Sequence, residues 1–324
     1  MRIKSLQVKE AFGIKKADVD FDEKDGIVCV VDEFEGDECP FDDPHPFMSV
    51  MNALFLSTFY EADYLRGNGE IQCFCERFEQ SFLISLKGKR EQAALTYQGK
   101  KMTGERKGVE ETCFCGEEVG GKMKWIIGAD HREILYPSDM RDYCKFEKNS
   151  FLGLQDVIET IDLECSAFGW LTEEEWGILK QKMREYLAEF DGIPFIEGQP
   201  IAINRQGKLT FQGRDFILDC DKYFSEDEVS RIQFLYWLAT LNMIKRLCED
   251  IGRDGDLPVF VEDFFEGLEQ GKDHSFLFDE MRKTGRQIFI FLNKRNMEIE
   301  KNCDKILVKG ANGEYNIFTN DGEG

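Results

Sequence analysis

Four stretches of this chain have residue types and spacings that could do chemistry. The first is Glu262-Asp263, which ends the apolar run Pro258-Val259-Phe260-Val261. Adjacent carboxylates at a strand end are suited to holding a hydrated divalent cation and orienting a water. The second is Phe224-Ser225-Glu226-Asp227-Glu228, where Ser225 and Glu228 are spaced as a capping box at a helix start. The third is a strand–loop–helix pattern. Gly26-Ile27-Val28-Cys29-Val30-Val31 is an apolar, β-branched run, Asp32 to Pro46 is a loop, and Phe47 to Phe55 is a helical run containing Ser49. In a nucleotide-binding protein such a loop is a glycine-rich phosphate cradle. The fourth is a repeated pair, Cys73-Phe74-Cys75 and Cys113-Phe114-Cys115. Residues two apart on a strand share a face, so four thiols could meet in a Cys₄ zinc site. Structural zinc sites more often use Cys-x₂₋₄-Cys knuckles and small buried cysteines are common, so core thiols are the preferred reading.

Other patterns carry less. Gly116-Glu117-Glu118-Val119-Gly120-Gly121-Lys122-Met123 fits G-x-x-x-x-G-K, but Met123 stands where Ser or Thr would reach a metal. A strand, Lys124 to Ile127, follows it where a helix would be needed, so a hairpin turn explains it better. The carboxylates of Asp32–Asp43 match no EF-hand spacing and read as a solvated acidic loop. His45, His131 and His274 lie far apart and nominate no nucleophilic triad.

The elements that must position these residues follow from periodicity. Ile3–Val8 and Ala17–Asp22 alternate as strands, and residues 27–31 read as a buried strand. Residues 47–60 are apolar all round, as in a buried helix. Residues 70–130 read as a β-meander of short segments separated by Gly or charged turns. A helix starts at Thr172 and runs through Leu187, and Asn204-Arg205-Gln206-Gly207 predicts a hairpin across 200–218. A long helix spans Val229–Asp250. Leu257–Val261 and Gln287–Leu292 read as buried strands flanking a helix near 273–284, and a hairpin covers 303–318.

The chain has 324 residues, of which 42% are hydrophobic, enough for a sizeable core. Its 41 basic and 63 acidic residues leave a net charge of −22. That balance argues against direct nucleic-acid contact and against binding to anionic membrane. No apolar run reaches the ~18 residues of a membrane span, and no signal-peptide pattern opens the chain. Eleven cysteines in such a chain indicate reduced thiols and a cytoplasmic setting.

The order of elements resembles the ATPase heads of the SMC/RecF-like branch of ABC-type ATPases. Arg2-Ile3-Lys4-Ser5-Leu6, Ala17 to Phe21 and Gly26 to Val31 look like the first strands of such a head. Met51-Asn52-Ala53-Leu54 looks like the helix after its Walker A motif, and Phe224 to Glu228 lies where the signature motif belongs. Pro258 to Glu269 resembles Walker B plus the D-loop, and Gln287–Asn293 resembles the strand leading to the switch histidine. The resemblance implies an α/β, P-loop NTPase-like ABC head. Its parts are a β-rich lobe over 1–149 with the Walker A region, a short helical insertion over 150–192, and an α/β lobe over 193–324 with the signature and Walker B regions. The insertion is too short for the long coiled coil of SMC proteins.

Each chemical position departs from that family. Asp32–Pro46 holds seven carboxylates, one glycine (Gly36) and no Lys or Arg, and Pro40, Pro44 and Pro46 remove N–H donors. A like-charge contact at 4 Å costs about 1 kcal/mol in water and more when desolvated. A helix dipole returns only about 1 kcal/mol. Glu226 and Asp227 replace the signature glycines. Glu262-Asp263 inverts the Walker B Asp-Glu order, moving a bound water by about 1.5 Å per methylene. Asn293 stands at the switch histidine. The resulting expectation is a pseudo-ATPase with no cofactor, acting as a regulatory or scaffolding subunit. Its protein partner would be a second copy or an active ATPase, in DNA maintenance or defence. The alternatives are an active Mg²⁺-dependent ATPase with an atypical ATP site, and an acidic nucleic-acid mimic that binds a basic partner.

Overall fold

The structure is a computed structural model. It describes residues 2–32, 45–51, 54, 69–77, 80–87, 92–97, 100–105, 116–119, 122–125, 145–146, 173–188, 201–204, 206–251, 258–262, 264–268 and 273–320.

In chain order the elements begin with β1 (Arg2–Ala11), β2 (Ile14–Asp20), β3 (Ile27–Val31) and α1 (Pro46–Met51). Next come β4 (Glu70–Arg77), β5 (Gln80–Lys87), β6 (Gln92–Tyr97), β7 (Lys100–Glu105), β8 (Gly116–Val119), β9 (Lys122–Trp125) and β10 (Lys145–Phe146). Then follow α2 (Glu173–Ala188), β11 (Ile201–Ile203), β12 (Leu209–Phe211), β13 (Arg214–Asp215), α3 (Phe216–Tyr223) and α4 (Glu226–Asp250). The chain finishes with β14 (Val259–Val261), α5 (Ser275–Lys283), β15 (Ile288–Leu292), α6 (Met297–Glu300), β16 (Lys305–Lys309) and β17 (Tyr315–Thr319). Contacts divide these elements into two units, each assembled from separate stretches of sequence.

The first unit takes residues 1–135, 257–260 and 286–324. One of its sheets has the order β2-β1-β4-β5-β6-β7, and its registered pairs are antiparallel. β2 shows the period-2 pattern of a half-solvated strand: Ile14, Ala17 and Val19 are buried, while Lys16, Asp18 and Asp20 face water. A second sheet places β15, β3, β16 and β17 side by side, with β3 parallel to both of its neighbours. A parallel strand covered on both faces must be apolar throughout. All five residues of β3 and of β15 are buried accordingly. Gln287 fastens the start of β15 to β1: it accepts from Ile3 N at 2.9 Å and donates Nε2 to Ile3 O at 3.2 Å. In the G-x-x-x-x-G-K segment, β8 and β9 pair antiparallel.

The second unit takes residues 136–256 and 261–285. Its centre is α4, a 25-residue helix that buries Ile232, Phe234, Leu235, Trp237, Leu238, Leu241, Ile244 and Leu247. Phe146 of β10 is 2% exposed and packs edge-on against Phe234 at 5.1 Å and against Phe264 at 5.2 Å. Phe234 stacks on Phe264 at 4.3 Å. α2 is held to α4 by Tyr186, which donates its hydroxyl to Asp250 and lies under the Arg246 guanidinium at 3.6 Å. Among the described residues no helix is long and apolar enough to cross a membrane.

The sequence predicts most of these elements within a few residues. It misses β7, β10, α3 and α6, reads Gly116–Val119 (β8) as part of a turn, and extends the 200–218 hairpin too far. That hairpin closes at Phe211; Gln212 and Gly213 then turn with positive φ, and α3 begins at Phe216. The predicted capping partner Thr172 and the predicted strand 111–115 lie outside the described residues.

Candidate functional site

In the first unit the position of interest is the end of β3. Asp32 follows the strand directly, and its N–H donates to Leu292 O at 2.9 Å, continuing the ladder with β15. Its carboxylate is completely buried. Tyr315, the first residue of β17, donates its hydroxyl to Asp32 Oδ1. His45 is 1% exposed and brings Nδ1 to 3.5 Å from Asp32 Oδ2. Asp32 is therefore a buried, partnered carboxylate and not part of a solvated acidic loop, which corrects that expectation at this residue.

The packing around the cluster is aromatic. The His45 ring lies 5.6 Å from Phe291, and Phe47 sits 5.4 Å from Tyr315 and 6.4 Å from Phe289. Burial pushes the Tyr315 phenol well above its ordinary range, and the Asp32 charge and hydrogen bond push it the same way. α1 starts at Pro46, which has no N–H to give and whose ring suits the first helical position. Ser49 is buried in the first turn, and its N–H donates to His45 O at 3.1 Å. The structure brings Asp32, Pro46 and Ser49 into one region through His45. Gly36 lies outside the described residues. Asn293, half-buried, directly follows Leu292, the residue that bonds Asp32.

The residues that the sequence reading assigns to the signature and Walker B positions belong to the second unit. Ser225 caps α4 in a complete capping box. Its side chain accepts from Glu228 N, while Glu228 accepts from Ser225 N at 2.7 Å. Asp227 is engaged one turn along, 2.9 Å from Arg231, and Arg231 also reaches His274 Nδ1 at 3.3 Å. Glu226 is exposed. Each polar group at this helix start has a local partner or water, as a stable N-terminus requires. At the end of β14, Glu262 Oε2 lies 2.7 Å from Lys145 Nζ, with the two side chains 16% and 26% exposed. Lys145 is positioned by its neighbour Phe146, which is locked among Phe234, Trp237 and Phe264. A fixed ammonium therefore compensates the carboxylate. Asp263 lies outside the described residues.

Cys73 and Cys75 do share one face of β4. Both are fully buried, with Sγ atoms 3.4 Å apart. Burial pushes the Cys73 thiol well above its ordinary range, and the neighbouring Cys75 pushes it the same way. Cys113 and Cys115 lie outside the described residues. Among the described residues no group of three or more His, Cys, Asp and Glu side chains is arranged to hold a metal.

Sequence reading did not single out Tyr315 or Lys145, and it passed over His45. Tyr315 is 283 residues from Asp32 and Lys145 is 117 from Glu262, so no local spacing signals either pair.

No protein-family model and no curated relative matches the sequence. Solved structures do. An Smc head bound to the C-terminal winged-helix domain of ScpA is 12% identical, with 98% of each chain covered and a TM-score of 0.55. An ATP complex of the recombination mediator RecF is 15% identical over 98% of each chain, with a TM-score of 0.46. A Pyrococcus furiosus Smc head with an extended coiled coil, bound to the C-terminal domain of ScpA, is 10% identical with a TM-score of 0.46, covering 98% of this chain and 96% of that one. The chain has the α/β fold of an Smc-type ATPase head.

Proposed function

We propose that this chain is a noncatalytic head that acts as a regulatory or scaffolding subunit beside a protein partner, either an active ATPase of the same class or a second copy. The observation that carries this reading is the buried Asp32–His45–Tyr315 cluster at the end of β3. A phosphate cradle at this place needs converging N–H donors and a lysine. Here the Asp32 N–H is engaged by Leu292, Pro46 has no N–H, and a buried carboxylate occupies the strand end. A phosphate oxygen within 4 Å of that carboxylate would be opposed by about 4 kcal/mol at an effective dielectric near 20.

Two further observations agree. Lys145 compensates Glu262, the carboxylate that a working Walker B site would offer to a hydrated metal. The start of α4 carries Glu226, Asp227 and Glu228, where a signature motif presents glycine backbone to phosphate. Protein partnering draws support from the similar Smc head, which is bound to ScpA. The net charge of −22 favours a protein partner over nucleic acid.

Isothermal titration calorimetry of the whole chain with ATP·Mg²⁺ tests this reading. The expected result is no binding tighter than about 100 μM, equivalent to roughly −5.5 kcal/mol. Tighter binding that disappears in Glu262→Gln, together with phosphate release from ATP, would establish the Mg²⁺-dependent ATPase alternative and remove the noncatalytic reading.

A further inference from the structure

We propose that β17 is a pairing edge for a second copy of this chain, the two strands running antiparallel about Phe318. The proposal deepens the reading above by naming the partner and its docking strand, and it rests on the chain being a partnered head. β17 ends its sheet, and among the described residues no strand pairs with its outer edge beyond the single bridge between Lys16 and Glu314. The ladder with β16 fixes which backbone groups face outward. Gly310 N donates to Glu314 O at 2.8 Å and Asn320 N to Asp304 O at 3.2 Å, in the register that pairs Lys305 with Thr319. Residues of an antiparallel strand bond alternately to one side and the other. Glu314, Asn316, Phe318 and Asn320 therefore bond inward to β16. Tyr315, Ile317 and Thr319 turn their N–H and C=O groups outward. Gly313 obeys the same alternation, since its carbonyl accepts from Lys15 N on the outer side at 2.8 Å. Tyr315 stands next to the bridge from β2, which leaves Ile317 and Thr319 to receive a strand.

The side chains of this strand suit an identical strand. Edge strands are ordinarily protected by charge or proline. β2 and β7, at the two ends of the other sheet, each carry two adjacent lysines. Tyr315-Asn316-Ile317-Phe318-Thr319 carries no charged residue. Ile317 is 41% exposed and Phe318 47%, and Asn316 and Thr319 are exposed beside them. A two-fold axis at Phe318 sets the outward groups of Ile317 opposite those of Thr319 of the second copy, closing four backbone hydrogen bonds. It also sets the two Phe318 side chains against each other in the closer, non-hydrogen-bonded position, where aromatic cross-strand pairs are favourable. Arg295, held by Glu300, lies 5.6 Å over the Phe318 ring. Charge selects the occupant. At −22, two copies repel each other over most of their surface. Residues 294–320 hold five basic and four acidic side chains, a balance of +1, so here two copies meet without that repulsion. A basic partner would instead be drawn to the acidic remainder of the chain.

The test is analytical ultracentrifugation of the full chain without nucleotide, at concentrations up to about 200 μM in physiological salt. A single paired strand is small as interfaces go, so a reversible dimer with a Kd of about 10–100 μM is expected. Phe318→Lys sets two ammonium groups opposite each other at the axis and should weaken the dimer at least tenfold. Thr319→Pro removes the outward N–H, and with it two of the four new hydrogen bonds, while keeping every bond to β16; it should also weaken the dimer at least tenfold. Both positions are solvent-exposed, so both variants should melt as the parent does, separating lost pairing from lost folding. The proposal is overturned if the parent stays monomeric at about 200 μM, or if both variants dimerise unchanged. It is also overturned if a dimer forms only with ATP·Mg²⁺. A monomer that takes no ATP leaves the noncatalytic reading standing, and a nucleotide-free dimer that does take ATP leaves the pairing edge standing, so the two failures are distinct.

Discussion

Tyr315→Phe removes one oxygen from the cluster at the end of β3 and leaves the ring in place. Tyr315 is 8% exposed, and its ring packs on Phe47, so phenylalanine fills the same space without a cavity. What is lost is the hydroxyl that donates to Asp32. The Asp32 carboxylate, completely buried, then keeps only the 3.5 Å approach of His45 among the described residues. Hydrogen bonds to charged groups contribute roughly 1.5–3 kcal/mol, and a buried group left unsatisfied costs a similar amount. A loss of about 2 kcal/mol lowers the melting midpoint by roughly 4–8 °C in a body of this size. The pH dependence gives a second arm. The Tyr315 phenol is raised in the folded chain, so its contribution is complete below the unfolded phenol value of about 10 and is lost as pH rises beyond it. The variant has no such group. Cys73, also raised, weakens both proteins equally above its ordinary value of 9.0. Scanning calorimetry at pH 7.5 and 10.5 should therefore show a wide gap between parent and variant that narrows at the higher pH. A gap below about 0.5 kcal/mol at both pH values would refute the claim that this hydroxyl supports a buried carboxylate.

Two other substitutions test the elements that carry the site positions. Ser225→Ala breaks the capping box of α4 and should cost about 1 kcal/mol, read as a lower urea midpoint with unchanged slope. Phe146→Ala should cost about 3–5 kcal/mol, because the ring is fully enclosed by Phe234, Trp237 and Phe264. Fluorescence of the tryptophans should report that loss directly, since Trp237 sits 5.3 Å from the deleted ring.

Elements whose cause is local were readable in the sequence. β3 and β15 are runs of five apolar residues because parallel strands in mid-sheet have no solvent face to serve. The start of α4 was readable because a capping box is a four-residue device. The turn at Asn204–Gly207 was readable for the same reason: the Asn204 side chain accepts from Gln206 N and Lys208 N, and Gly207 takes the positive φ. Elements defined by neighbours were harder. β7 reads Lys-Lys-Met-Thr-Gly-Glu, with a single apolar side chain, and is a strand because β6 offers it a ladder. α3 follows so closely on the turn at Gln212-Gly213 that its eight residues look like the return of a hairpin.

The site illustrates the same division. Composition alone argued against a phosphate cradle in Asp32–Pro46, because absent lysines and excess carboxylates are visible without coordinates. It could not show that the Asp32 carboxylate is buried. Burial is decided by β15 and β17, which reach Asp32 from more than 250 residues away through Leu292 O and the Tyr315 hydroxyl. Once those contacts are known, the argument against phosphate changes in kind. A solvated acidic loop repels an anion by about 1 kcal/mol per contact, a barrier that salt or a bound cation can screen. A buried carboxylate that accepts from a tyrosine hydroxyl is shielded from salt, and removing it would break packing that the end of β3 depends on. The noncatalytic reading therefore rests more firmly on one residue inside the fold than on the acidic loop that first suggested it.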